Sequence, residues 1–459
     1  MSVTTACVYP RVVVVDATPF CRHMNNGILK SNLFQGWAKS GLAQVMYANV
    51  QPGFDVCERY WTLRKTSILL GAIGFAPDSA LCRSAGQLAG TIYDAERAHT
   101  FESRPGIERM FAGLSKAIRQ PVGEAILRLP SLFSPPLSEW IERFAPEVVF
   151  TLGGTAPVLR MAAKLAERRQ IPLVPYFTDD WVSCIYEGAL LGRVLRASFV
   201  HWFHRTLALS PIRLTCSDAM SREYKGRYGG RFETFMDSSE VFETTSEPAL
   251  PTVRFSFIGA LSPNRWRPLL SIGMALAKLR ARGLSGELVI YTFPEDIRQF
   301  GQSLAGCDAI RVAGTAPTHE VRRIQLEANV LVHVESFDES TRRFTRFSLS
   351  TKIPQYLMAG RCVLAYGPAE LASVRYVSES GAGMAVSTED VDELASELEM
   401  LVSSPALRQA YAVRARQTAL DRHDAVAERE RFRNLICASV QSGSVGEGDK
   451  APNRHGRTR

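Results

Sequence analysis

The nine cysteines form no C-x-x-C pair and show no metal-ligand spacing. That argues against zinc ribbons, dithiol redox centres and a disulfide framework, and predicts reduced thiols in a cytoplasmic protein. No apolar run approaches the ~18 residues of a membrane-spanning helix; the best stretches, residues 67–75 and 197–203, are too short or interrupted by polar groups. The opening segment MSVTTACVYPRVVVVDATPF lacks a charged region ahead of a long apolar stretch, so no secretory signal is expected. Net charge is modest, with 54 Lys+Arg against 46 Asp+Glu. Residues 188–231 carry eight basic and two acidic side chains, +6 of the formal +8, so the excess is local. No recognised motif or extended basic groove accompanies it, which disfavours nucleic acid as a partner.

What is present is enough to build sizeable cores: 46% apolar residues and 22% charged ones in a chain of 459. Short β-rich runs alternate with helical patterns, the signature of parallel α/β layers. In the first half, strands are expected at 11–15, 44–47, 148–151, 173–177 and 212–215, with helices over 32–39 and 157–169. Several strands are continuous apolar runs, as befits strands buried on both faces. Residues 57–135 give mixed patterns and no readable topology. FETTSEPALP, near residues 241–251, is polar, contains proline and lacks periodicity, marking a domain boundary.

A second series follows, with strands at 254–258, 287–292, 310–312, 330–334, 362–365 and 383–386 and helices over 269–282, 318–328 and 391–403. The expected organisation is therefore two facing Rossmann-like doubly wound domains, 1–245 and 250–425, then a C-terminal helix at 426–440 and a disordered tail at 441–459. Ligands bind beyond the carboxyl ends of parallel strands, so two such sheets create a cleft between them.

Residues 330–367 hold the densest set of candidate groups. A strand ends at Glu335, a charged loop follows, and Ser350-Thr351-Lys352 opens a helix with Pro354 in its first turn. A capped helix start with a lysine can take a phosphate; it is equally a capped connection between two strands. Other motifs favour structural readings. Asp390-Val391-Asp392 matches a metal-binding D-x-D but opens a helix, where acids complement the dipole. His201 and His204 have no acidic third ligand and read as packing or interface histidines. Gly153-Gly154-Thr155 lacks the phosphate-loop lysine and reads as a tight turn. Arg342, Arg343 and Arg346 either approach phosphates or face water.

The run S-T-K-I-P-x-Y-L-x-A-G-R-x-V-L from Ser350 closely resembles the donor segment of the retaining family-four GT-B glycosyltransferases, S-K-x-x-E-Y-L-A-x-G-x-P-V. Phe257-Ile258-Gly259-Ala260-Leu261 with Arg265 resembles the family's diphosphate loop, and Val312-Ala313-Gly314-Thr315 its base-proximal loop. Phe177-Thr178-Asp179-Asp180-Trp181 resembles H-D-x-W. Thr215 to Met220, with Tyr224 and Arg227-Tyr228-Gly229, resembles the motif before the hinge, and Asn26-Gly27 with Leu33 and Trp37 the Gly-rich first loop. The likeness spans roughly residues 10–55 and 145–430. It departs at both signature glutamates, replaced by Phe347 and Gln355, and at the motif histidine, replaced by Thr178.

The resemblance implies a GT-B glycosyltransferase with no cofactor beyond its donor substrate, a nucleotide sugar, and a saccharide or polyprenyl-linked acceptor. It implies retention of configuration, independence of metal and a setting in surface-polysaccharide synthesis. Arg265, Ser350, Thr351 and Lys352 would hold the donor diphosphate, Gly314 and Gln355 the nucleoside, and Gly27 would lie on the acceptor side. Asp179, Asp180 and Glu335 are the candidates at the reacting centre, with Ser348 an alternative for the missing glutamate. A nucleotide-sugar epimerase and a non-catalytic nucleotide- or partner-binding homologue are the rivals. The basic segment is either a core helix with a wet face or a surface for anionic membrane at the cytoplasmic side.

Overall fold

The computed structural model describes residues 9–22, 25–46, 52–63, 79–82, 133–187 and 191–443. The first sheet has the order β4-β3-β2-β1-β5-β6-β7-β8. Its strands are β1 (Val12–Asp16), β2 (Leu42–Met46), β3 (Arg59–Thr62), β4 (Ser79–Cys82), β5 (Val148–Thr151), β6 (Leu173–Phe177), β7 (Arg213–Thr215) and β8 (Phe232–Thr234). All neighbours pair in parallel except β3 with β4. The four valines of β1 are wholly buried and divide by the period of two: Val12 and Val14 enter one core, Val13 and Val15 the other. The connecting helices are α1 (Asn25–Leu33), α2 (Pro135–Phe144), α3 (Ala156–Arg169), α4 (Trp181–Cys184), α5 (Gly192–Ala208) and α6 (Asp218–Tyr228).

The second sheet, all parallel, has the order β11-β10-β9-β12-β13-β14. It comprises β9 (Val253–Ile258), β10 (Gly286–Tyr291), β11 (Ile310–Gly314), β12 (Val330–Val334), β13 (Cys362–Tyr366) and β14 (Gly383–Val386). Between and after these strands run α7 (Trp266–Ala281), α8 (Pro294–Ala305), α9 (Val321–Leu326), α10 (Glu339–Thr345), α11 (Lys352–Met358), α12 (Ala372–Glu379), α13 (Val391–Ser403) and α14 (Pro405–Arg422). The chain moves outward from β9 to β11, then returns to β12 on the other side. The switch point therefore lies between the carboxyl ends of β9 and β12.

Between Thr234 and Val253 the chain forms no helix or strand and is tied to the second sheet. Arg361 donates to the carbonyls of Thr245 (2.9 Å) and Ser246 (3.1 Å), while Glu247 accepts from Arg408 and Asn329, both at 2.7 Å. The last helix, α15 (Ala425–Gly443), crosses back to the first domain. Its Phe432 ring meets Phe34 at 5.0 Å and Phe150 at 5.7 Å, edge to face. Phe432 is fully buried, so Phe432→Ala is expected to cost about 3–5 kcal/mol, read as a lowered midpoint in urea unfolding.

Two expectations are corrected. The helix placed at 32–39 runs instead over Asn25–Leu33. Leu29, Leu33, Phe34 and Trp37 are all buried and mimic continued helical spacing, but Gly36 takes φ +77° and the chain turns out of the helix there. The tail drawn from 441 begins inside α15, whose last turn includes Ser442 donating to the Ala438 carbonyl at 2.9 Å; residues 444–459 lie outside the described residues.

Candidate functional site

The carboxyl ends of β9 and β12 bring together residues about 75 positions apart in the chain. Beyond β9, Gly259 adopts φ +141°, and a Cβ there would overlap the Nζ and Cε of Lys352. Only glycine lets this lysine, at the start of α11, lie across the strand end. Its ammonium sits 4.5 Å from the centre of the Phe257 ring. Arg265, at the start of α7, donates to the Ser262 carbonyl at 3.0 Å and reaches Glu335 at 3.8 Å. Burial, then the neighbouring Arg265, pushes the Lys352 pKa down to about 7.

Glu335 is 3% exposed. Beneath it His333, wholly buried on β12, contacts its Oε1 through Nε2 at 3.0 Å. Burial lowers the His333 pKa, so a neutral imidazole donates from Nε2, leaving Nδ1 without a hydrogen-bond partner among the described residues. Burial alone would raise Glu335, but the His333 contact and the Arg265 and Lys352 charges outweigh it and hold the carboxyl below its usual range. The second oxygen, Oε2, has no hydrogen-bond partner among the described residues. The result is a carboxylate flanked by a guanidinium and by an amine that changes charge near neutral pH.

The first domain supplies the facing wall through β6. Asp179 is half-buried; its Oδ1 accepts from Ser348 at 2.8 Å and its Oδ2 from Thr178 at 3.2 Å. Burial raises its pKa, opposed by those hydroxyls, with Glu335 adding repulsion and Arg265 attraction. Asp179 thus belongs to the same electrostatic cluster as the second-domain groups. Asp180 does not face the cleft. It is 2% exposed and accepts from Tyr224 at 2.9 Å, Arg227 at 3.1 Å and Ser183 at 2.5 Å. Replacing it with alanine strands a partly buried guanidinium and is expected to cost about 3 kcal/mol, measured by calorimetry, without changing residues that line the cleft.

The remaining candidates spread along the crevice. Ser350 receives the Lys352 backbone N–H at 3.4 Å and donates its own to Ser373 at 3.1 Å. Thr351, half-buried, precedes α11 without a side-chain cap bond, and the half-buried Gln355 amide makes no side-chain hydrogen bond within the described residues. Gly314 ends β11 with φ +88° and open space where a Cβ would be. Gly27 lies inside α1 rather than in a loop; the position requires glycine because a side chain there would collide with Cys21 Sγ and crowd the Pro19 carbonyl. Arg342 pairs with Glu370, and Arg343 with Glu187 at 2.8 Å.

Asp390 caps α13, accepting from the backbone of Asp392 (2.7 Å) and Glu393 (3.0 Å). His201 and His204 are exposed on α5. Among the described residues no three His, Cys, Asp or Glu side chains gather into a metal-sized cluster. His333 was not singled out from sequence, although a histidine two residues before a strand-end acid was the available signal; Ser217 stood in the motif before the hinge, with no contact assigned to it.

The sequence matches no family profile and no curated protein significantly. Solved structures do match. Sucrose-phosphate synthase from Thermosynechococcus elongatus aligns over 94% of this chain and 100% of its own, with TM-score 0.62 and 12% identity. HepE from Anabaena, in complex with UDP, aligns over 93% and 100%, with TM-score 0.61 and 11% identity. This chain has the GT-B fold. A Rickettsia africae glycosyltransferase extends the set, at 94% and 100% coverage, TM-score 0.58 and 10% identity. In GT-B terms, the cations gather at the switch point of the second domain, and Asp179 meets them from the first. No helix among the described residues is long and apolar enough to cross a membrane.

Proposed function

We propose that this protein transfers a sugar from a nucleoside-diphosphate sugar to a saccharide or lipid-linked acceptor, as a retaining, metal-independent glycosyltransferase of surface-polysaccharide or glycoconjugate synthesis. One observation carries the reading: Arg265 and Lys352 converge beside Glu335 at the β9–β12 switch point, opposite Asp179. Cleaving a sugar–phosphate bond builds negative charge on the departing diphosphate, and two fixed cations stabilise it as it forms. The departing phosphate can itself accept the proton of the incoming hydroxyl, so no separate protein base is required. Ser350 and Thr351 would complete the diphosphate contacts, with Gln355 and Gly314 on the nucleoside. An amide at 355 can exchange hydrogen bonds with ribose hydroxyls. The fold neighbour HepE, solved with UDP-glucose, supports a nucleotide sugar as donor.

A transfer and hydrolysis assay with UDP-, GDP-, ADP- and dTDP-sugars tests the reading. Turnover of one donor, lost in Arg265→Ala, is expected. Nucleotide binding without turnover would favour the non-catalytic homologue, and interconversion of the free nucleotide sugar the epimerase.

A lipid-anchored acceptor fits the outer face of α5. Leu195, Phe199, Phe203 and Leu207 are buried, while Leu191 (60% exposed) and Val194 (57%) flank the exposed Arg193. Apolar side chains beside a cation suit docking on an anionic bilayer. Wild type is expected to float with phosphatidylglycerol vesicles and the Leu191→Ser/Arg193→Ser/Val194→Ser variant to sediment. Equal sedimentation of both would remove the membrane from the proposal.

A further inference from the structure

Phe347 stands where the resembling family carries its first signature glutamate, yet its side chain does not line the cleft. It is 8% exposed and belongs to the core of the first domain, although it comes from the second. Its ring lies between the guanidinium of Arg227 at 5.4 Å, from the first domain, and that of Arg346 at 5.2 Å. Arg227 is itself fixed by Asp180 at 3.1 Å and Glu223 at 2.7 Å. The Phe347 carbonyl accepts the Ser217 hydroxyl at 2.5 Å.

The next two residues also dock. Ser348 donates to Asp179 at 2.8 Å while its carbonyl accepts from Ser373 at 3.1 Å, and Leu349 is buried in a cluster with Met236. One turn earlier, Phe344 meets Trp181 edge-on at 5.0 Å, and Arg343 pairs with Glu187 at 2.8 Å.

We infer that residues 347–349 form a fixed seam between the domains, which keeps Asp179 facing Arg265 and Glu335 whether or not nucleotide is bound. Parting the domains would expose the Phe347 ring and at the same moment strip Asp179 of its Ser348 partner. Those losses coincide, because the groups are consecutive in the chain, and coincidence makes the docked state cooperative. Domain closure driven by nucleotide is a common way to complete a site; here the Ser348–Asp179 contact is already in place, with Ser348 as the positioning residue. The inference rests on the proposed function only in what it makes of the cations.

Small-angle scattering tests it on the full chain. The radius of gyration of wild type is expected to be the same with and without UDP, and larger in Phe347→Ala without nucleotide. Should Phe347→Ala lose cooperative melting, the Ser217→Ala/Ser348→Ala variant, which removes the two hydroxyl contacts of the seam and leaves the ring in place, is expected to show the same expansion. Contraction of wild type on adding UDP, or folded variants as compact as wild type, would overturn the seam. Failure of UDP to bind would count against the function proposed above, while the nucleotide-free comparison still decides the seam.

Discussion

Lys352→Ala is expected to lower kcat for sugar transfer about 10²–10³-fold, the size of losing one fixed donor to developing negative charge. The lysine is held where its charge is useful: across the end of β9, against the Phe257 ring, in the space that Gly259 leaves open. Single-turnover kinetics with a competent donor measure the effect. A fall in kcat with KM little changed means the lysine acts on the departing diphosphate, whereas a rise in KM alone would make it a ground-state contact. Lys352→Arg does not restore the rate fully, because a planar fork does not fit a slot shaped for a slim ammonium. A folded Lys352→Ala enzyme at the wild-type rate would remove the lysine from the mechanism.

Affinity for a nucleotide sugar is expected to fall as pH rises above about 7. Burial lowers the free Lys352 to about 7, with Arg265 adding to the effect. A bound diphosphate favours the charged form and raises that pKa, so above pH 7 binding takes up a proton. Below 7 the lysine is already charged and affinity is level; above it, affinity drops by up to about tenfold per pH unit until the bound-state pKa is reached. The diphosphate diester of a nucleotide sugar stays ionised throughout, so the slope reports the protein. Calorimetric titration in two buffers of different ionisation enthalpy gives both the slope and the proton count. In Lys352→Arg the profile flattens. Constant affinity from pH 6 to 9 in wild type would contradict the assignment.

The fold was readable because the central strands of both sheets are buried on two faces. Residues 148–151, 173–177, 330–334 and 383–386 are apolar but for Thr151 and His333, and match the observed strands to the residue. Helix α13 was equally plain, since acids open it and leucines recur along its buried face. What escaped was long-range. That α15 returns to the first domain depends on Phe432 meeting Phe34 and Phe150 across the chain, and no local pattern encodes a destination. Two adjacent aspartates, Asp179 and Asp180, looked interchangeable, yet successive residues leave β6 in opposite directions, one to Ser348 and one to Tyr224 and Arg227.

The charge excess divided in a similar way. Arg205 pairs with Glu167, Arg213 donates to main-chain carbonyls of Leu207 and Gly229, and Arg227 holds Asp180. All eight basic side chains of that segment reach the surface at least in part, but several also tie down local structure, and the cations at the switch point lie outside that segment. The absence of both signature glutamates was visible at once, but its consequence was not: a phenylalanine in the core of the opposite domain is a tertiary fact.

The most direct measurement is the melting temperature of the wild-type protein with UDP, GDP, ADP or dTDP. Binding to the folded state alone raises stability by RT ln(1 + [L]/Kd), about 2.7 kcal/mol at a hundredfold excess over Kd. One nucleoside diphosphate is expected to shift wild type upward and to leave an Arg265→Ala/Lys352→Ala variant unmoved. No shift with any of the four, or the same shift in both proteins, would contradict a diphosphate site at the β9–β12 switch point.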